Sequence, residues 1–594
     1  MKIIKNFKYL DKIFILSLIS IFIVYNLSNI SYGLPYFSNP DEIVFQESVL
    51  SSIYFLTDYF ALHYNPLYAP LINSVIILNS FFINEFLINS LSPSEIKSKL
   101  YFNTELFLFY GRFASLLITT LSIFVLYKIF KKLKINFLIY SVLLITFSTS
   151  IITFNIATIF GKNSCNLLIY LFQLYFFLKY ILKIDKFDHK SYYLFSILAS
   201  VAWGVNYWPA FVSIYAVFIL HFIKYKFSKL NYIFIFFIIF IFFGPLINFF
   251  FVNMSPLEHL TYSYDLEKLD NIEAKFFFEA ISKRIITSLK IIFFSDKNIL
   301  LLLLLTPFYL IHKYTNYKKE FFIILILIFE PIILFGLSGN IEPQIRYFGG
   351  IISLILLLTG LLINEIYKTK FRLLVIFFFV TNFYVINENI IKHQKINETL
   401  SKNYSFFDFN ENINLAKSKV FYLVDLNFQE SLKQNLYYLE LYKNDLIKKN
   451  KRSKRFLENI EKKIQKITTT ENILIENKNL KNDILYFNYT FFPIKDLKLF
   501  FEFIKKDFDY VVIEESRPNS LSNGGLQNQI KSYVKENFLF KKIQFENKKI
   551  FLRSQQSVIH YYANAISRFD IVEDIYNDKL EVIYGVNYSL YKLE

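Results

Sequence analysis

The chain has 594 residues, 54% of them hydrophobic, with a mean hydropathy of +0.36 and a formal net charge of +17. Apolar runs this numerous and uninterrupted exclude a soluble enzyme and imply a polytopic membrane protein. Cys165 is the single cysteine, which excludes an intrachain disulfide and a cysteine-based zinc site. In a soluble chain the positive charge would point to nucleic acid. Here many lysines sit at the ends of hydrophobic runs, so topology and membrane lipid account for much of it, and nucleic acid is not an expected partner. The aromatic share of 20% accompanies an excess of Ile, Lys and Asn, a pattern of biased codon supply that marks no site by itself.

Residues 1–30 combine a Lys-rich start with an apolar run and no small-residue cleavage site, and are expected to form a retained first span. Further runs lie near 106–127, 136–153, 165–182, 192–207, 209–223, 231–251, 297–312, 321–338, 347–365 and 371–387, giving about eleven spans. The two short runs flanking Trp208-Pro209 could instead form one broken element, which would change the parity.

Lysines set the expected orientation. Lys2, Lys5, Lys8 and Lys12 precede the first run; Lys128, Lys131, Lys132 and Lys134 follow the second; Lys179, Lys183, Lys186 and Lys190 follow the fourth. Lys224, Lys226 and Lys229, then Lys313, Lys318 and Lys319, then Lys368, Lys370 and Arg372 mark later loops. Every second loop is basic, which places the N-terminus and these loops in the cytoplasm. Loops 31–105, 154–164, around 204–208, 252–296 and 339–346 are then expected outside. The first of these is poor in Lys and carries two amphipathic candidates, 41–56 and 66–90, suited to lying along the membrane surface.

Residues 1–390 thus form a membrane domain, and from about 391 to 594 the composition turns polar. A strand at Val420–Asp425, a long charged helix over 427–467, a strand at Asn472–Ile475, a helix near 494–506, a strand at Tyr510–Ile513 and a hairpin-like stretch over 537–553 predict an extracytoplasmic α/β domain. The basic stretch from Lys448 to Lys466 is either a solvated helix face or a surface for anionic lipid or polysaccharide.

Ser38-Asn39-Pro40-Asp41-Glu42 places two carboxylates just beyond the first run. Ser38 or Asn39 as a cap, Pro40 in a first turn and acids opposing the helix dipole would give this segment a purely structural role. The loop continues with His63-Tyr64-Asn65-Pro66-Leu67-Tyr68-Ala69-Pro70-Leu71, the second run opens with Gly111-Arg112, and Glu342-Pro343-Gln344-Ile345-Arg346-Tyr347 leads into the tenth. In this order, over roughly residues 10–385, these motifs resemble the GT-C membrane glycosyltransferases. The likeness is to the branch holding dolichyl-phosphate-mannose-protein O-mannosyltransferases, lipid A aminoarabinose transferases and their bacterial relatives.

The resemblance implies transfer of a sugar, with inversion, from a polyprenyl-phosphate donor to a lipid, glycan or protein acceptor at the outer face of a bacterial inner membrane. It makes Asp41 the catalytic base and gives Glu42 the positioning of acceptor or base. A carboxylate can take the attacking hydroxyl's proton as the new bond forms, and cations can steady the departing phosphate. Arg346 is the first candidate for that phosphate, since a guanidinium binds two oxygens at once. Arg112 and Lys162 are further candidates, with interfacial anchoring as the alternative for all three. His63, Asn65 and Tyr347 are candidate substrate contacts. No cofactor is required. Asp41, Glu42, Glu47 and His63 match no metal-ligand spacing.

The sequence departs from the family where His-Pro-Pro is usual, here His63-Tyr64-Asn65-Pro66, at Phe160-Gly161-Lys162-Asn163, and at Asn206-Tyr207-Trp208-Pro209. Two other functions stay open. Glu330, beside Pro331 within the ninth run, could serve a transporter or flippase of lipid-linked saccharides, or be a polar packing contact at a proline kink. A non-catalytic subunit for envelope assembly is the third.

Overall fold

The computed structural model describes residues 2–31, 42, 45, 48–49, 52, 67–90, 92, 104–252, 274–311, 344–369, 372–403, 420–424, 484–488, 497–505, 508–514, 524–545, 549–552, 569–577, 581–584 and 587–593. The run at 321–338 with Glu330, the charged helix over 427–467 and the strand at Asn472–Ile475 lie outside these residues, as does most of 41–56.

The described chain is mostly helical. Seven helices are long and apolar enough to cross a membrane, or up to eight if one bent pair forms a single span. α1 (Lys2–Ile30) lies against α3 (Thr104–Lys132). The two are antiparallel: Arg112 near the start of α3 bonds the Ile30 carbonyl, while Tyr127 near its end bonds Asp11 at 2.9 Å. Lys131 and Tyr140 close on the same carboxylate, tying α1, α3 and α4 (Phe137–Thr149) together at their lysine-rich end.

At Ser150 the helix breaks by 53° and resumes as α5 (Ile151–Thr158). Ser150 is extended and its hydroxyl accepts from the amides of Ile152 and Thr153, so it caps the new helix. Helix therefore continues through much of the stretch expected as loop 154–164.

α6 (Asn163–Ile181) runs along α3, and α7 (His189–Val205) opens on an Asp188 capping box. Burial works against the Asp188 charge, but the hydroxyl and amide of Ser191 outweigh it and hold the carboxyl below its usual range. α8 (Tyr207–Tyr225) follows after Asn206 alone, and it folds straight back: Tyr192 meets His221, and Lys224 reaches the carbonyl of Phe187. The runs around Trp208-Pro209 are thus two antiparallel helices.

α9 (Leu230–Ile241) passes through a π-helical turn at Phe242–Leu246, containing Gly244 and Pro245, into α10 (Ile247–Val252). α11 (Ala274–Ser295) and α12 (Asn298–Ile311) meet at a corner where Asp296, Asn298, Asn382 and Thr146 form a buried hydrogen-bonded chain. Burial pushes the Asp296 carboxyl up to about 6. A 3-10 turn at Ile345–Phe348 leads into the deeply buried α13 (Gly349–Tyr367), and α14 (Leu374–Asn403) completes the helical part.

α2 (Tyr68–Leu87) is among the helices long enough to cross a membrane, yet it lies across one end of the bundle. Tyr68 rests on Gly204 and bonds the Phe243 carbonyl, Asn73 reaches Cys165, and Phe81 packs edge-on against Tyr110. All of these partners sit at the end opposite the lysines. Ala69, Asn73, Ile77, Phe81 and Glu85 face inward at four-residue spacing, while Val75, Phe82, Ile83, Phe86 and Leu87 face away from the protein.

Beyond the helices, β1 (Val420–Val424), β2 (Ile484–Asn488), β3 (Tyr510–Glu514), β4 (Leu539–Phe545) and β7 (Asn587–Lys592) form a mixed sheet in the order β2-β1-β3-β7-β4. β1 is parallel to both neighbours, and its continuous apolar sequence suits a strand covered on two faces. α15 (Leu497–Ile504) and α16 (Gly524–Asn537) are joined by stacking of Phe501 on Tyr533. The stretch 537–553 is not a hairpin: β4 pairs with β7, while β5 (Lys549–Leu552) pairs with β6 (Glu581–Tyr584). α17 (Phe569–Tyr576) docks on the membrane helices through Phe294–Phe569 and Phe294–Tyr576 ring contacts and a Lys395 bond to the Tyr576 carbonyl.

Candidate functional site

Charged residues gather at the end of the bundle opposite the lysines. Glu42 and Arg112 are both fully buried there, and Arg112 grips the carboxylate with Nε on Oε1 and Nη2 on Oε2, each at 3.1 Å. Its Nη1 donates to the Ile30 carbonyl, also at 3.1 Å. The Phe160 amide donates to Glu42 Oε1 at 2.8 Å. One carboxylate therefore joins the first long loop, the end of α1, the start of α3 and the segment after α5.

Packing reinforces this knot. The Phe160 ring covers Gly111, where a Cβ would sit 2.7 Å from the ring, and it meets Phe45 and Phe107 edge-on. A guanidinium bound to a carboxylate in this bidentate way is fixed in direction as well as in place. With water excluded, such a pair holds geometry more than it adds net stability.

Arg346 lies at the same end. It is buried in the 3-10 turn, 5.5 Å from the centroid of the Tyr347 ring. That turn packs against α5, and Gly349 beside it rests on Ile156 and Leu167. Lys162, half-buried, stands at the entry to α6. The structure thus brings Glu42, Arg112, Lys162, Arg346 and Tyr347 to one end, with α5 and Phe160 between the two arginines. Asp41, His63 and Asn65 lie outside the described residues.

The three candidate cations are not equivalent. Arg112 directs its nitrogens at Glu42 and Ile30, a positioning geometry that its place at a span end did not foretell. α5 and its buried Asn155 were also missed, being read as loop. The signal present in the sequence was Ser148-Thr149-Ser150, small hydroxyl residues that interrupt an apolar run and can cap a new helix. Among the described residues, no three His, Cys, Asp or Glu side chains come together as a metal site.

No protein-family model matches this chain, and no curated protein matches its sequence.

Proposed function

We propose that this protein is an integral-membrane glycosyltransferase of the GT-C type. It moves a sugar from a polyprenyl-phosphate donor to a lipid, glycan or protein acceptor at the outer face of a bacterial inner membrane. The proposal includes about eleven spans, a cytoplasmic N-terminus and an extracytoplasmic α/β domain formed by residues 391–594.

The observation that carries it is the buried Glu42–Arg112 pair with the Phe160 amide on the same carboxylate. It anchors the residue next to Asp41 at the bundle end that also holds Arg346. In the proposed reaction Asp41 takes the proton from the acceptor hydroxyl as its oxygen attacks the anomeric carbon. The bond to the carrier phosphate breaks on the opposite side of the sugar, which inverts the configuration. Arg346, assisted by Lys162, steadies the charge growing on that phosphate. Glu42, committed to Arg112, is a positioning residue, and His63, Asn65 and Tyr347 contact substrates.

Transfer of labelled sugar from a membrane lipid extract tests this, comparing the protein with Asp41→Asn at equal membrane abundance. Loss of a general base lowers transfer by about 10²-fold or more. Equal transfer by both proteins would remove Asp41 as the base.

A further inference from the structure

One turn inside the Glu42–Arg112 pair, the bundle buries polar groups that no described residue answers. Asn155 on α5 is fully buried, and among the described residues neither its side-chain nitrogen Nδ2 nor its side-chain oxygen Oδ1 has a hydrogen-bond partner. The same holds for the Ser115 hydroxyl and for Oδ1 of Asn26.

Helix geometry puts these groups at one level. Asn26 lies four residues before Ile30 and Ser115 three after Arg112, so on antiparallel α1 and α3 both fall about 5 Å below the ion pair. Asn155 lies five residues before Phe160, whose amide reaches the same Glu42. α1, α3 and α5 pack against one another.

Other buried side chains of the bundle also carry an unmet atom, among them Ser141, Thr153, Gln173 and Ser288, but among the described residues Asn155 alone has both ends of its side-chain amide unmet. Asn26, Asn29, Asn73, Asn79, Asn248 and Asn382 each give their amide to the carbonyl four residues back. Asn155 gives nothing to its own helix. On α3, Thr119, Thr120 and Ser122 bond back in the same way, while Ser115 does not. A buried amide without partners opposes folding unless something occupies the position.

The chemistry of these groups defines the occupant. Two carbonyl oxygens repel an anion, whereas the Asn155 amide and the neighbouring Arg112 repel a cation. Groups that both donate and accept match them: a water molecule can answer one of these residues, whereas adjacent hydroxyls on a ring supply several such groups at fixed spacing and answer the three residues together. We propose that Asn155, with Ser115 and Asn26, forms a subsite for sugar hydroxyls. The sugar is that of the lipid-linked donor, a choice that rests on the glycosyltransferase reading above.

The test uses the purified full-length protein and Asn155→Leu, titrated by native mass spectrometry. The probes are bare undecaprenyl phosphate, the same carrier bearing glucose, mannose or an aminopentose, and the free sugars. The expected result is a preference for a glycosylated carrier that falls about tenfold or more in the variant, with binding of the bare carrier unchanged. That unchanged binding also shows the variant is folded. Asn155-dependent binding of a free sugar without binding of any carrier would keep the subsite and overturn the glycosyltransferase reading. A preference that survives Asn155→Leu, or no binding of any probe, would overturn the subsite.

Discussion

Glu42 and Arg112 are each fully buried, so removing one leaves the other's charge where water cannot solvate it. Arg112→Met is expected to cost about 3–5 kcal/mol, the range for breaking a buried pair, while Glu42→Gln with Arg112→Met recovers most of it. Denaturation midpoints of the two variants in one detergent check this. A single mutant as stable as the double would show that the pair is solvated. The two residues stand seventy apart in the chain, which explains why the sequence could propose Arg112 only for phosphate or for an interface. Each was visible as a charge beside an apolar run, but which charge meets which is decided by how α1, α3 and Phe160 pack. Asn155 was hidden differently: two polar residues in Thr153-Phe154-Asn155-Ile156 look like loop until the break at Ser150 is known.

At the scale of elements, the apolar runs were legible because length and hydropathy alone demand helices, and the strands at 420–424 and 510–514 because short apolar runs stand out in polar surroundings. Their partners were not legible. The expected hairpin over 537–553 fails because β4 finds β7 and β5 finds β6, choices made by the register of strands far along the chain. The corner between α7 and α8 turns on a single extended residue, Asn206, and Gly204 just before it admits the Tyr68 ring. A Cβ at Gly204 would fall 2.0 Å from Tyr68 Cδ2, and the bond from the Tyr68 hydroxyl to Phe243 keeps the ring from swinging aside. Gly204→Ala is therefore expected to destabilise by about 1–3 kcal/mol, with Tyr68→Leu in the same chain restoring part of the loss. Thermal unfolding reads both, and an unshifted Gly204→Ala would mean that the ring does not sit on the glycine.

Across the described molecule, the lysine-bearing turns after α3, α6, α8 and α13 gather at one end, and α2 lies over the other. Asp11 with Lys131 ties α1 to α3 there, the Asn136 amide on Asn364 ties the turn before α4 to α13, and Lys224 on the Phe187 carbonyl ties α8 to the turn between α6 and α7, all on one face. If that face is cytoplasmic, the Glu42–Arg112 knot lies outside, and α2 rests in the membrane interface with Val75, Ile83 and Leu87 toward lipid. Single cysteines in a Cys165→Ser background decide both points, using a thiol reagent that cannot cross the membrane. Positions 31, 90, 134 and 228 are natural choices, since Ser31, Ser90, Lys134 and Ser228 are all exposed. Ser31→Cys and Ser90→Cys are expected to react in intact cells, and Lys134→Cys and Ser228→Cys only after permeabilisation. Ser90→Cys protected together with Lys134→Cys would mean that α2 crosses the bilayer. Reaction of Lys134→Cys in intact cells would invert the whole arrangement, leaving Arg346 on the side away from the proposed donor.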